Sequence, residues 1–263
     1  MCQVCNAAVV QQAPTPARIP FLDATRGVLA VVVMLSHILL IAGIEAAQPA
    51  ASLSVLIFFA MSGYVLARAY DGQPWAFLAR RIVRLWPLYI VCFAAGCFLA
   101  GTTPSIGDLV MWPPSPFAHR IAFDLPAWSL YIEVWASPAL LVLFFLPSWG
   151  ALLVALAFGA FSIAHPAAYV GTAFAIGVAL AGVAVKWPTT TWAVPLWLGR
   201  VSYSLYLSHW VVIAAVGPVA GVPVALLVAW VLERWIERPS IRWSRAAGRW
   251  VSNLPTGKAL AAN

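Results

Sequence analysis

Arg26 and His37 are the two residues of this chain whose types and spacing most directly suggest chemistry. The ten residues between them, GVLAVVVMLS, are almost all apolar. In an α-helix, a separation of eleven residues at about 100° each brings the second side chain to within about 20° of the first, roughly 16 Å along the axis. In a membrane-spanning helix, Arg26 would lie near one surface and His37 near half depth on the same face.

An imidazole within an apolar helix is a candidate general base. Ionisable residues inside membrane spans are costly and are usually functional. A neutral imidazole is suited to removing a proton from a hydroxyl near physiological pH. The alternative for His37 is a packing role, hydrogen-bonded between helices. The alternative for Arg26 is an interfacial ion pair with Asp23, three residues earlier, that anchors the helix.

The composition of the chain indicates the elements that must position these residues. Of 263 residues, 63% are hydrophobic and only 9% are charged. A soluble domain of this size could not cover so much apolar surface, so we predict an all-α, polytopic membrane bundle. Segments long and apolar enough for about eight transmembrane helices can be drawn. They lie at about 28–44, 53–67, 85–101, 127–146, 149–164, 167–185, 196–216 and 219–235.

The basic residues lie on one side of these segments. With the N-terminus in the cytoplasm, Arg120 alone of the 15 Lys and Arg residues lies outside. The positive-inside rule therefore predicts an even number of spans, two cytoplasmic termini and a multi-pass protein of the cell membrane. The positive net charge is explained by this placement, so no nucleic-acid partner is predicted. We divide the chain into a mobile tail at 1–17, a membrane domain at 18–240 and a basic cytoplasmic tail at 241–263.

Six motifs occur in order along the membrane domain. They are FLDATRG at 21–27 with His37 later in the same helix, FFAMSGY at 58–64, RRIVRLWPLY at 80–89, WSLYIE at 128–133, LGRVSYSLYLSH at 198–209, and Glu237-Arg238-Pro239. Each motif is weak alone, but together and in this order they resemble the membrane-bound acyltransferase 3 family. The chain departs from that family's pattern at Ala24, where Gly is usual, and at Val134, where a second acidic residue is common.

The resemblance implies an integral membrane acyltransferase that transfers groups other than aminoacyl groups. Such an enzyme moves an acyl group, usually acetyl from acetyl-CoA, to a hydroxyl of a glycan, a lipid-linked sugar or a small molecule. Acetyl-CoA would be a co-substrate, and no permanently bound cofactor is predicted. The few acidic residues and the absence of Asp/Glu/His clusters in the sequence predict no metal site.

The resemblance also implies roles for individual residues. Arg26 and His37 match the family's essential pair of an arginine and a histidine separated by ten residues, with His37 as the base. Arg80, Arg81 and Arg84 would bind the phosphates of coenzyme A, because guanidinium groups form charge-assisted, often bidentate bonds with phosphate. The alternative for these three arginines is a positive-inside anchor or a contact with lipid headgroups.

Two further sites follow from the same resemblance. Glu133 is predicted to be catalytic, and it could orient His37, pair with an arginine or hold the acceptor hydroxyl; the alternative is a structural ion pair. Tyr206 and His209 are predicted to bind substrate. Their spacing of three residues, shared with Tyr203, places all three along one helical face. The alternative for such a stripe is packing or an interfacial belt.

Two functions of other classes remain open at this stage. A proton-coupled transporter would use His37 and Glu133 as a relay, and it predicts broken, paired spans with repeat symmetry, which the sequence does not display. A non-catalytic membrane scaffold would retain the fold and would tolerate His37→Ala.

Overall fold

The computed structural model describes residues 18–111, 126–165 and 168–254. In these ranges the chain is helical and contains no strand, so the all-α prediction is confirmed. The tail predicted at 1–17 lies outside the described residues. The same is true of Arg120 and of the last part of the predicted C-terminal tail, 255–263.

The described ranges form a succession of α-helices. In chain order they are α1 (Pro20–Ile41), α2 (Gln48–Ala69), α3 (Pro74–Leu99), α4 (Ile106–Leu109), α5 (Ala127–Phe144), α6 (Ser148–Phe161), α7 (Tyr169–Ala181), α8 (Ala193–Val216), α9 (Pro218–Leu232) and α10 (Arg238–Ser252). A 3-10 helix at Glu45–Ala47 leads into α2, and a π-helical turn at Glu233–Glu237 joins α9 to α10. Each predicted apolar segment coincides with one of these helices.

The helices differ from the predicted segments mainly at their N-terminal ends. Helix α1 begins at Pro20 rather than near 28, and α3 begins at Pro74 rather than near 85. A proline in the first turn favours these starts, because its missing N–H would have no partner there and its φ is already helical. Hydrophobicity alone misses these turns because they contain charged residues. Arg26 therefore lies within α1, and the arginines at 80–84 lie within α3.

Five described helical segments are long and apolar enough to cross a membrane. They are Pro20–Ile41, Glu45–Ala69, Pro74–Leu99, Ala127–Phe144 and Pro218–Ser252. Helices α6 and α7 are apolar but have only 14 and 13 residues, which is short for a hydrocarbon core of about 30 Å. Helix α8 has 24 residues but is rich in polar side chains. The described helices thus indicate a membrane protein.

Helices α1 and α8 cross closely and run parallel to each other. A side chain on Gly27 would overlap the backbone of Leu198 and Gly199, and a side chain on Gly199 would overlap the carbonyl group of Asp23. Small residues allow such backbone approach between membrane helices. The contact lies near the N-terminal end of both helices, so it fixes their relative register for the turns that follow.

Helices α2 and α7 form a second close crossing. Gly63 faces the backbone of Phe174, and Gly177 faces the carbonyl group of Ala60. The neighbouring core is apolar, and Phe59 packs on Phe174 with ring centroids 4.9 Å apart. This crossing is therefore mainly apolar, whereas the α1–α8 crossing brings polar groups together.

Helix α10 packs against α3, where Gly248 lies on the side chain of Arg80. The segment predicted as a basic tail from residue 241 is therefore helical as far as Ser252. Its glycine and serines face α3, which places its larger side chains on the outside.

Candidate active site

His37 of α1 and His209 of α8 meet beyond the glycine crossing of these helices. Nδ1 of His37 lies 2.8 Å from Nε2 of His209, and the two rings are stacked with centroids 5.1 Å apart. Both side chains are buried. Each histidine follows its own helix's crossing glycine, Gly27 or Gly199, by ten residues, so the parallel register of the two helices brings the rings to one level. We call these two residues the histidine pair.

The partners of His209 define which nitrogen of His37 carries a proton. Nδ1 of His209 lies 3.0 Å from the carbonyl oxygen of Leu205, one turn earlier in α8. A carbonyl oxygen only accepts, so this nitrogen donates, and Nε2 of a neutral His209 must then accept. The proton between the two rings therefore belongs to Nδ1 of His37. Nε2 of His37 keeps its lone pair, which is the form that a general base needs.

Aromatic groups surround the histidine pair. Trp210 presents an edge-on contact to His37 with centroids 5.4 Å apart, and Tyr206 lies 6.2 Å from His209. The hydroxyl of Tyr206 is 2.8 Å from Oγ of Ser129 on α5. Nε2 of His37 has no hydrogen-bond partner among the described residues. The pair thus ends on an acceptor nitrogen that is available to a ligand.

Glu133 of α5 belongs to a different cluster, centred on an ion pair with Arg81 of α3. Nη2 of Arg81 lies 2.9 Å from Oε1 of Glu133, and its Nε donates to Oγ of Ser137 at 2.6 Å. The hydroxyl of Ser62 on α2 donates to the same Oε1 at 2.8 Å, while Ser137 donates to the backbone carbonyl of Glu133. These four residues form what we call the ion-pair cluster, which links three helices. Of the roles that the sequence left open for Glu133, pairing with an arginine is the one observed.

The three arginines predicted to bind coenzyme A point in different directions. Arg81 is buried in the ion-pair cluster. Arg80 is partly exposed and pairs with Asp71 at 2.9 Å. Arg84 is exposed and makes no hydrogen bond or ion pair with another described residue. Arg84 is therefore the member of this set whose guanidinium is available to an anion.

Arg26 is partly buried in α1 and is also without a hydrogen bond or ion pair in the described part of the chain. Its possible partner Asp23 instead lies 3.5 Å from Arg18. The charged groups near enough to interact electrostatically with Arg26 are those of Arg84, Glu133, Asp23 and Glu237. An unpaired guanidinium inside a helical bundle is costly, which points to an anionic ligand at this place.

Glu237 is a buried acidic residue to which the sequence assigned no role. It lies in the π-helical turn, and its Oε2 accepts a hydrogen bond from Ser204 of α8 at 2.7 Å. No ion pair to Glu237 is formed within the described ranges, whereas Glu233 of the same turn pairs with Arg238 at 2.6 Å. The only signal in the sequence is the Glu-x-Pro motif, because a π-helical turn has no simple pattern of residue types.

The remaining predicted residues connect helices. The hydroxyl of Tyr203 donates to the backbone carbonyl of Leu85 on α3 at 2.8 Å. Tyr206 reaches α5 through Ser129, and its ring also contacts Phe58 of α2. The structure thus brings Tyr206 and His209 together, as their spacing predicts, while Tyr203 faces another helix.

A cleft of about 480 Å³ opens at the N-terminal ends of α1 and α8. Its lining includes Arg18, Asp23, Trp197 and Arg200. Two of these residues are arginines, one from the segment before α1 and one from α8. Because the cleft lies at the end of the helices where Arg26 is found, an anionic ligand could enter there. Among the described residues, no group of three or more His, Cys, Asp or Glu side chains could hold a metal ion.

Comparison with known proteins gives one informative relationship. No family model matches the chain, and no solved structure matches it. The chain is similar to Protein 2 in picA locus of Rhizobium radiobacter, with 33% identity over 159 residues, covering 48% of this chain and 81% of that protein. Such identity over most of the relative's length shows common descent. The chain belongs to the same family as Protein 2 in picA locus.

Proposed function

We propose that this protein is an integral membrane acyltransferase that transfers an acyl group, usually acetyl in the family it resembles, from acyl-CoA to a hydroxyl. The acceptor would be a carbohydrate, a lipid-linked sugar or a small molecule. The observation that carries the proposal is the histidine pair. It holds the buried imidazole of His37, one turn before the end of α1, with Nδ1 donating to His209 and Nε2 left as an acceptor. The resemblance of six ordered motifs to the acyltransferase 3 family supplies the reaction type.

The proposed reaction needs one base and one acid at the same atom. Nε2 of His37 removes the proton from the acceptor hydroxyl while the hydroxyl oxygen bonds to the thioester carbonyl carbon. The bond from that carbon to sulfur breaks, and the departing thiolate of coenzyme A takes the proton from His37. The products are an ester and free coenzyme A. His209 keeps the ring of His37 in the required tautomer throughout, so it acts as a positioning residue.

The proposed donor site uses mainly the guanidinium groups that have no partner in the described structure. Arg26, Arg84 and Arg200 are of this kind, and Arg18, whose Nε lies 3.5 Å from Asp23, lines the basic cleft with Arg200 at the same end of α1 and α8. Phosphates of coenzyme A would bind there, with the thioester reaching toward His37. Arg80 and Arg81 stay candidates from the resemblance, but each already has a carboxylate partner.

The proposed placement has eight spans in the cell membrane and two cytoplasmic termini. Helices α1 and α8, the first and seventh predicted spans, run parallel, as two odd-numbered spans must. Helices α2 and α7, the second and sixth, also run parallel, since Gly63 faces Phe174 and Arg68 reaches the carbonyl of Ala181. Both directions agree with eight alternating crossings. The short α6 and α7 would then cross where the membrane is locally thin.

The transporter alternative relies on a relay between His37 and Glu133. The described contacts do not link them, because Glu133 binds Arg81, Ser62 and Ser137 while His37 binds His209. This arrangement favours the acyltransferase proposal over a proton relay.

A transfer assay tests the proposal. Purified protein in detergent is given radiolabelled acetyl-CoA and a panel of glycans and small alcohols, and labelled ester is measured. We expect His37→Ala to reduce turnover by about 10²- to 10⁴-fold, the usual contribution of a general base. The matched control is His165→Ala, which alters an exposed histidine after α6 and should leave turnover unchanged. Absence of thioester consumption with every acceptor, or equal turnover after His37→Ala, would contradict the proposal.

A further inference from the structure

Helix α10 has an outer surface that the proposed reaction does not use. Arg242, Arg245 and Arg249 are exposed, and at about 100° per residue they lie within a sector of about 60°. Trp243 and Trp250 are 56% and 67% exposed and are two turns apart, so they share a second outward side. We call this combination of arginines and tryptophans the outer face of α10.

Helix α10 packs on the rest of the protein through its inner face, which leaves the outer face exposed in the described ranges. Ser240, Ser244 and Gly248 are buried, and Gly248 packs on the side chain of Arg80 in α3. The three outer arginines form no hydrogen bond or ion pair with other residues in the described ranges. The helix itself contains no acidic residue. Its positive charge is therefore not compensated within the part of the protein that the structure describes.

The length of the last helical segment places α10 at a membrane surface. Pro218–Ser252 is one helical stretch of 35 residues, or about 52 Å, whereas the hydrocarbon core is about 30 Å thick. Its apolar part is α9, and charged residues begin at Glu233. When α9 crosses the membrane, α10 must begin at the level of the lipid headgroups.

We propose that the outer face of α10 binds the headgroups of anionic phospholipids. Guanidinium groups pair with phosphate through charge-assisted, often bidentate bonds. Tryptophan is enriched at the membrane–water interface, where its apolar ring and its N–H are both accommodated. A phosphate of coenzyme A would satisfy the arginines, but it gives no reason for two exposed tryptophans beside them. The proposal rests on the membrane placement above and not on the proposed reaction.

The test measures lipid binding by the full-length protein. Wild-type protein in nanodiscs of phosphatidylcholine with a fraction of phosphatidylglycerol is released into detergent, and retained lipid is counted by native mass spectrometry. We expect retention of phosphatidylglycerol, and a loss on the order of tenfold in R242Q/R245Q/R249Q. The control R68Q/K186Q changes exposed basic residues outside α10 and outside the proposed donor site, and it should lose less than about twofold.

Two further measurements keep the proposal falsifiable. R245Q alone removes one charge and should show an intermediate loss, which covers the case in which the triple variant does not fold. Equilibrium binding of coenzyme A is measured on the same variants and should not change. Equal lipid retention in wild type and R245Q, equal loss in the control, or loss of coenzyme A binding with lipid retention intact would each overturn the proposal. None of these results depends on turnover, so the acyltransferase proposal is tested separately.

Discussion

The two buried polar clusters of this protein are built in opposite ways. In the ion-pair cluster, every nitrogen and oxygen named above is engaged by another residue of the cluster, and three helices are joined. In the histidine pair, the hydrogen bonds run in one direction, from His37 to His209 to the carbonyl of Leu205, and leave one ring nitrogen open. The first arrangement is suited to holding helices together, and the second is suited to exchanging a proton with a ligand.

This difference separates the predicted site residues that a substrate can reach from those that already have partners. Glu133 and His37 come from equally prominent motifs, but only His37 has an atom that a substrate could reach without breaking an existing bond. A buried charge pair is strongly destabilised when one member is removed, because the other charge is left without compensation. We therefore expect the ion-pair cluster to govern stability and the histidine pair to govern turnover.

The largest effect is expected from breaking the ion-pair cluster. Arg81→Ala should lower the free energy of unfolding by about 3–5 kcal/mol, because it leaves the carboxylate of Glu133 buried without its charge partner. The double variant Arg81→Met with Glu133→Leu should recover most of this loss. Unfolding of the detergent-solubilised protein by heat or denaturant gives the measurement. Unchanged stability in Arg81→Ala, together with weaker binding of coenzyme A, would assign Arg81 to the donor site instead.

A smaller effect, confined to turnover, is expected at His209. His209→Leu should lower kcat about tenfold to hundredfold, a part of the contribution of a general base, because no acceptor then lies opposite Nδ1 of His37 and its tautomer is no longer imposed. The KM for the acceptor should be unchanged, and unfolding should shift little. Turnover measured against acceptor concentration separates the two parameters. A raised KM with normal kcat would instead support the sequence-based prediction that His209 binds substrate.

The smallest effect is expected at the edge of the ion-pair cluster. Ser62→Ala removes one donor to Glu133 but leaves the Arg81 bond in place, so stability should fall by about 1 kcal/mol and kcat should not change. The matched control is Ser54→Ala in the same helix, whose hydroxyl donates only to the backbone carbonyl of Ala50. Its effect on unfolding should be smaller. A fall in kcat for Ser62→Ala that exceeds its effect on stability would extend the candidate active site to this cluster.

The helices could be predicted because apolar runs and proline positions are local properties of the chain. The eight predicted segments all coincide with helices, and their ends differ where charged residues occupy the first turns, as at Arg26 and Arg80. The number of membrane crossings is harder to predict from apolar runs alone. Helix α8 is polar on the side that carries His209, and α6 and α7 are short, so length and apolarity identify five candidates rather than eight.

The partners of the site residues could not be predicted, because they lie far apart in the chain. His37 and His209 are separated by 172 residues, and no local pattern relates them. Neighbouring arginines are likewise sorted by packing: Arg81 turns into the bundle toward α5, while Arg84 stays exposed three residues later. Residues three apart lie on neighbouring positions of a helix surface, but the position of the surrounding helices decides what each side chain meets.

The sequence alone determines helical periodicity and hydropathy. These two properties are sufficient to predict an all-α protein with apolar helices that can span a membrane. They also place Arg26 and His37 on one face of one helix. The crossing of α1 and α8 at Gly27 and Gly199 is a property of the folded bundle alone. It sets two parallel helices in register and so selects the partner of His37. That partner, bonded in turn to a backbone carbonyl, determines which nitrogen of His37 is free to accept a proton.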